Sequence, residues 1–117
     1  MNQINLTTAV RKPQTSLSII DIQGDVTGLA ENTLMDAFSQ ASNGSTRTIL
    51  LNFTGLDYMN SSGIGLLVTL LIRTQRQKQK LLACGLSEHY EEIFKLTRLN
   101  EAIGIYADEA GALAAIS

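Results

Sequence analysis

Two adjacent serines, Ser61 and Ser62, are the side chains with the clearest chemical potential in this sequence. They follow an apolar run at residues 48–53 that is typical of a buried strand, and they precede a segment whose apolar residues recur at helical spacing. The pattern predicts that both hydroxyls lie at a helix N-terminus, where free backbone N–H groups and the positive end of the helix dipole face whatever binds there. A serine at this position either caps the helix or has a regulatory role, and spacing alone favours the cap.

Residue types elsewhere give little support for catalysis. His89 is the single histidine and Cys84 the single cysteine, so the chain lacks the several ligands that a metal site requires. A serine nucleophile needs a base and an orienting acid, and nothing in the sequence brings His89 to Ser61. Gly63 and Gly65 fall short of a dinucleotide fingerprint, and no phosphate-binding loop is present. We therefore expect no enzyme, no metal and no cofactor.

Composition indicates one folded domain spanning residues 1–117. The hydrophobic fraction is 44% and the net charge is −2, which disfavours both disorder and a nucleic-acid partner. The longest apolar run is too short to span a bilayer, and the first five residues lack the features of a signal peptide. A lone cysteine cannot form an internal disulfide. We expect a cytoplasmic protein with no membrane partner.

Periodicity predicts the order β-β-α-β-α-β-α-β-α, which places the chain in the α/β class. The first two strands should pair antiparallel, and the later crossovers should be parallel, giving a mixed, mostly parallel sheet of four to five strands with about four helices. The predicted strands are residues 4–10, 17–23, 48–53, 80–84 and 102–106, and the predicted helices are residues 27–41, 61–79, 87–96 and 108–116.

Several local features accompany this prediction. Thr27 is the expected N-cap of the first helix, and a left-handed residue at Asn43 or Gly44 is expected to end it. Strand alternation slips at Ile19 and Ile20, which indicates burial on both faces or a bulge. The buried stripe of the first helix should comprise Ala30, Leu34, Ala37, Phe38 and Ala41.

The central segment resembles the STAS domain of bacterial anti-sigma factor antagonists. Residues 50–53 read LLNF and residues 56–65 read LDYMNSSGIG, where the family has a strand like LNL followed by a turn like MDSSGLG. Residues 24–26 look like the family's exit from the second strand. Residues 93–96 together with Leu99 look like its third helix and the following loop. The resemblance therefore covers about the whole chain and implies a single STAS-like domain.

This resemblance reverses the preference for a cap and implies that Ser61 is a phosphoacceptor. It implies that the unphosphorylated protein binds an anti-sigma factor that is also a serine protein kinase, and that a separate serine phosphatase resets the system. The sequence departs from the family at two positions, because Asn60 and Thr27 stand where acidic residues are common. The alternative hypothesis is a STAS-type module that responds to a nucleotide or other small ligand at the same turn, with weak nucleotide binding and no serine switch. The implied partner-binding residues are Thr27, Asn60, Ser61, Ser62, Gly63 and Ile64.

The partner surface is expected to combine the first turn of the central helix with the loop at residues 24–28. Met59, Ile64 and Leu66 are candidates for its apolar part, with the core as their alternative location. On this hypothesis a bulky residue in place of Gly63 weakens partner binding and leaves the fold largely intact.

Overall fold

The structure is a computed structural model that describes residues 4–116. Its nine strands and helices follow the predicted order, and short 3₁₀ turns at Gly28–Ala30 and Leu99–Glu101 interrupt the connections. None of the helices in the described part of the chain is long and apolar enough to cross a bilayer. The elements are β1 (Leu6–Gln14), β2 (Leu17–Val26), α1 (Glu31–Ala41), β3 (Thr48–Met59), α2 (Ser61–Arg76), β4 (Lys80–Cys84), α3 (Glu88–Leu96), β5 (Gly104–Tyr106) and α4 (Glu109–Ile116).

The five strands form one sheet in the order β1-β2-β3-β4-β5. β1 pairs antiparallel with β2, and the other three pairings are parallel. Each parallel pairing requires a helical crossover, which explains why strands and helices alternate after β2. The prediction of an α/β fold with a mixed, mostly parallel sheet is confirmed.

Helices cover the two faces of the sheet unequally. The larger core lies under α1, α2 and α3, where Leu34, Leu67 and Phe94 are fully buried. The smaller core lies under α4, around Leu50 and neighbouring residues. The predicted stripe of α1 is confirmed, because all five of its residues are buried in the larger core.

The first two strands are longer than the pattern indicated. The only proline, Pro13, predicts a turn at residues 11–15, and this prediction is wrong for most of its length, because β1 continues through Pro13 to Gln14. Proline is tolerated there since β1 is an edge strand and its pairing shifts register between Arg11 and Gln14. β2 continues to Val26, and its first four residues are all buried. Of the two explanations for the slip at Ile19 and Ile20, burial on both faces is therefore confirmed.

Further boundaries also differ from the prediction. Thr27 caps the 3₁₀ turn that precedes α1 rather than α1 itself. No left-handed residue follows α1 at Asn43 or Gly44; instead, Asn43 Oδ1 accepts hydrogen bonds from the backbone N–H groups of Ser45 and Thr46. α2 ends three residues earlier than predicted, at Arg76, and β5 is confined to residues 104–106.

The end of β3 is the boundary that matters most for the position of the serines. β3 continues six residues beyond Phe53 to Met59, because the lengthened β2 pairs with it as far as Val26 opposite Met59. The predicted central turn is therefore mostly strand, and Asn60 alone connects β3 to α2. The first turn of α2 consequently starts directly at the carboxyl end of β3.

Arg11 joins the sheet to α4 through two carboxylates. Its Nε and Nη2 donate to Asp21 at 2.6 and 2.7 Å, and Nη2 also donates to Glu109 at 2.6 Å. Asn52 donates to Asp21 at 2.8 Å. The hydrogen bonds from Arg11, and secondarily the one from Asn52, hold the pKa of the Asp21 carboxyl below its ordinary value.

We predict that the stability contributed by Asp21 depends on pH. Because folding lowers this pKa, the contribution is complete above the ordinary value of 3.8 and disappears as pH falls through the folded-state pKa. Urea denaturation should therefore show wild type more stable than Asp21→Asn at pH 7, with the difference shrinking below pH 4. Asp36→Asn is the matched control, since this exposed carboxylate forms no ion pair with residues 4–116. A difference for Asp21→Asn that stays constant with pH would contradict the assignment.

Candidate functional site

Asn60 is the residue that starts α2. Its backbone is extended, with φ −101° and ψ −176°, and its side-chain Oδ1 accepts a hydrogen bond from the Gly63 N–H at 2.9 Å. Its backbone carbonyl accepts from the N–H of Ile64 at 3.0 Å. These two bonds make Asn60 the N-cap, which is consistent with the preference of asparagine for this position.

Ser61 and Ser62 occupy the first two positions inside α2, and both are exposed. Their hydroxyls make no hydrogen bond with any residue between 4 and 116, so the interpretation of either serine as the cap is wrong. Their backbone N–H groups have no acceptor among these residues either, as expected for the first turn of a helix. Two hydroxyls and two N–H donors therefore face solvent at the positive end of the helix dipole.

Gly63 is buried beneath these serines, against the end of β2. An added Cβ would lie 2.0 Å from the Val26 carbonyl oxygen and 2.8 Å from its carbon. The same carbonyl accepts a hydrogen bond from the Asn60 N–H at 3.3 Å. The expectation that a bulky residue at Gly63 leaves the fold largely intact is therefore wrong, because the backbone of β2 occupies the space a side chain needs.

The three apolar candidates for the partner surface belong instead to the core. Met59 and Leu66 are only 4% and 8% exposed, and Ile64 is half-buried against the larger core. The Met59 N–H donates to the Tyr90 hydroxyl at 2.8 Å, so α3 supports the end of β3 from below. These three residues hold the first turn of α2 in place. Of the two locations that the sequence left open for them, the partner surface and the core, the core is correct.

A different set of residues forms the exposed surface beside Ser61. Gly65, Val68 and Ile72 follow Ser61 at steps of four, three and four residues, which places all four on one face of α2. Val68 and Ile72 are 38% and 43% exposed, and an added Cβ at Gly65 would meet nothing within 4 Å. We call these four residues the α2 outer face. Its spacing is visible in the sequence, but α2 is apolar on several sides, so the pattern did not distinguish exposed from buried positions.

The loop after β2 extends this surface. Leu29, in the 3₁₀ turn, is 50% exposed. Its neighbour Gly28 lies against α2, since an added Cβ there would be 3.4 Å from Ser62 Cβ. Thr27 is half-buried, and its Oγ1 accepts from the Leu29 N–H at 3.3 Å. The structure thus brings the Thr27 loop to the first turn of α2, as the sequence predicted.

Of the remaining reactive side chains, neither Cys84 nor His89 forms a hydrogen bond with Ser61 or Ser62. Cys84 is buried, and burial raises the pKa of its thiol to about 11, which leaves it a poor nucleophile. His89 is exposed on α3, with its ring 4.9 Å from that of Tyr90. Within residues 4–116 no group of His, Cys, Asp and Glu side chains could hold a metal ion.

Comparison with known proteins identifies one family. The profile of the STAS domain family matches residues 8–112. An anti-sigma factor antagonist from Mycobacterium paratuberculosis has 16% identity and a TM-score of 0.80, over 94% of this chain and 92% of that chain. The phosphorylated Bacillus cell fate determinant SpoIIAA has 19% identity and a TM-score of 0.68, over 95% and 100%. The STAS domain of a SulP transporter from Vibrio cholerae has 17% identity and a TM-score of 0.74, over 88% and 82%. At these identities the three structures establish a shared fold.

We predict that Asn60, and not Ser61, contributes to stability as a cap. Asn60→Ala removes the acceptor for the Gly63 N–H and should cost about 1 kcal/mol of unfolding free energy. Ser61→Ala removes a hydroxyl without a partner and should change stability by less than about 0.5 kcal/mol. Chemical denaturation of both variants measures the difference. A larger loss for Ser61→Ala than for Asn60→Ala would contradict the capping geometry.

Proposed function

The chain belongs to the STAS domain family, and from that membership we propose that it is a phosphorylation-controlled partner-switching protein resembling an anti-sigma factor antagonist. In its unphosphorylated form it binds an anti-sigma factor that is also a serine protein kinase. Phosphorylation of Ser61 by that kinase releases the partner, and a serine phosphatase restores binding. The output is a change in transcription, because an anti-sigma factor held by this protein cannot hold its sigma factor.

The exposed, unbonded hydroxyl of Ser61 is the observation that carries this proposal. A kinase must reach the hydroxyl oxygen, and a serine engaged as an N-cap would have to give up a stabilising hydrogen bond first. Here Asn60 makes the capping bond, so Ser61 can be modified without disturbing the start of α2. Bacillus SpoIIAA, a protein with the same fold, has been solved in a phosphorylated form, which agrees with this chemistry.

Charge explains how one phosphate can control binding without refolding the domain. A phosphoserine carries about −1.5 to −2 charges at neutral pH. Within this protein that charge lies at a helix N-terminus beside the free N–H groups of Ser61 and Ser62, where it is tolerated or favoured. In a packed interface the same charge loses its hydration. A penalty of about 4 kcal/mol weakens binding about 1,000-fold.

The α2 outer face and Leu29 form the apolar part of the proposed interface. Val68, Ile72 and Leu29 are exposed apolar side chains on the two segments that flank the serines. Thr27, Asn60 and Ser62 supply polar groups around Ser61. Gly63 and Ile64 act from beneath, by holding the first turn of α2 against the sheet. A partner that docks across this surface covers Ser61, so a phosphate there falls inside the contact.

On this proposal, Asn60 changes what the kinase recognises beside Ser61 and keeps the position of the serine. Asparagine and aspartate cap helices comparably, so the uncharged residue preserves the geometry of Ser61. It removes a negative charge from the position directly before the phosphoacceptor. A kinase that recognises this protein therefore reads an amide where other family members present a carboxylate.

We predict opposite binding behaviour for two substitutions of Ser61, neither of which should destabilise the fold. Ser61→Ala should retain the partner and resist release by ATP, because it lacks the hydroxyl that accepts phosphate. Ser61→Asp should bind at least about tenfold more weakly, because it places a charge inside the interface. Affinity should be measured by calorimetry with the kinase partner purified from the native organism, together with peptide mapping of the phosphorylated residue. Thermal unfolding checks that both variants are folded.

Ser45→Asp is the matched control for this comparison, since it adds the same charge at an exposed serine of the α1–β3 loop, outside the proposed interface, and should bind the partner as wild type does. Phosphate found on Ser62 and not Ser61 would overturn the residue assignment. Tight binding by Ser61→Asp, with no labelling of Ser61 by native extract, would leave a STAS binding module without a serine switch.

We also predict that two glycines in the first turns of α2 respond differently to substitution. Gly65→Arg should weaken partner binding at least about tenfold by blocking the α2 outer face. Its fold should remain intact, because the side chain enters open solvent and arginine favours helix. Gly63→Ala should instead lower the unfolding free energy by about 1–3 kcal/mol through its clash with Val26.

Thermal unfolding and calorimetric titration of the same preparations separate the two effects. Gly65→Ala, which adds one methyl group to the open side of the helix, is the control for Gly65→Arg. Wild-type affinity in a folded Gly65→Arg protein would place the interface elsewhere.

A further inference from the structure

Three loops meet at the end of the sheet opposite Ser61. The backbone N–H of Arg47, just before β3, donates to the Ser16 carbonyl at 2.8 Å, and the N–H of Lys80 donates to the Arg47 carbonyl at 2.8 Å. These bonds join the β1–β2 turn, the α1–β3 loop and the start of β4. The three segments are therefore held in a fixed arrangement although they are distant in sequence.

A cleft of about 420 Å³ opens where these loops meet. The C-terminal residues of α4 form its other side, and Leu82 contributes an apolar wall. Pockets of this size accept small molecules. We call it the basic cleft, and its polar lining consists of Ser16, Arg47, Thr48, Lys78, Lys80 and Tyr106.

The basic cleft is positively charged, whereas the chain as a whole is negatively charged. Arg47, Lys78 and Lys80 form no ion pair or side-chain hydrogen bond with the residues the structure describes, and no Asp or Glu is among the lining residues. Between residues 37 and 87 the sequence holds five Lys and Arg residues and a single acid, Asp57, although the net charge is −2. Three unpaired cations at one concave site favour an anion of several charges.

Lys78 enters the cleft from the end of α2. It has a left-handed backbone with φ 58° at the position after the C-cap of α2. The N–H of Lys78 donates to Gln75 and that of Gln79 to Thr74, at 3.1 and 2.8 Å, which is the hydrogen-bonding pattern that helices usually complete with glycine. Lysine has an unfavourable backbone energy at this position, as Arg98 does after α3, and glycine would relieve it.

We propose that the basic cleft binds a small anion that carries two or more phosphate groups. Lysine and arginine side chains match the charge of phosphate, and the hydroxyls of Ser16, Thr48 and Tyr106 can donate hydrogen bonds to its oxygens. The concave shape suits a small molecule. The cleft lies at the start of β3, whereas Ser61 follows the end of that strand, so binding here is separate from the serine switch.

Calorimetric titration with inorganic tripolyphosphate at constant ionic strength tests the proposal. Wild type should bind it, and the double variant Arg47→Gln/Lys80→Gln should bind at least about tenfold more weakly. Lys95→Gln on α3 is the control, because it neutralises an exposed lysine outside the cleft and should leave affinity unchanged. No detectable binding by wild type, or equal losses for the cleft and control variants, would overturn the proposal.

Lys78→Gly distinguishes a binding role from a structural one. Glycine relieves the left-handed backbone, so the unfolding temperature should rise while tripolyphosphate affinity falls about tenfold. A rise in unfolding temperature with unchanged affinity would exclude Lys78 from the site. Ser61→Asp should bind tripolyphosphate as wild type does. A negative result for anion binding in the cleft can therefore be distinguished from a negative result for the serine switch.

Discussion

The carbonyl of Val26 at the end of β2 is the point on which the site depends. It accepts a hydrogen bond from the N–H of Asn60, and Gly63 packs against it so closely that no side chain would fit between them. This contact sets where β3 ends and where α2 begins. Since Asn60 alone joins the two elements, the orientation of the first turn of α2, and with it the direction in which Ser61 faces, follows from one close backbone approach.

The same arrangement assigns stability to Asn60 and Gly63 and leaves the neighbouring Ser61 available for the proposed regulation. Asn60 caps the helix and Gly63 seats it on the sheet, so Ser61 between them contributes neither a hydrogen bond nor core packing. A residue in that position can be modified at little cost to folding. On the proposed function, a phosphate at Ser61 lies within the surface that the partner covers, so the charge of one side chain is sufficient to control binding.

The two ends of the sheet offer different surfaces. At the carboxyl end of β3, hydroxyls and exposed apolar residues of α2 lie together, which suits contact with another protein. At the opposite end, Arg47 before β3 and Lys78 and Lys80 around the start of β4 line a concave cleft, which suits a small anion. Both surfaces are formed by segments next to the two ends of β3. Backbone hydrogen bonds within the domain hold these segments in place.

Local pattern determined the order of the elements, the antiparallel first pair, the buried stripe of α1 and the placement of two serines at a helix start. These features follow from periodicity and turn chemistry, which act over a few residues. Only the tertiary structure decided the extent of β3, because its last six residues are strand through pairing with β2. It also distinguished Gly63 from Gly65 and the exposed Val68 from the buried Leu67. Burial depends on what packs against a residue, and the sequence of an apolar helix does not contain that information.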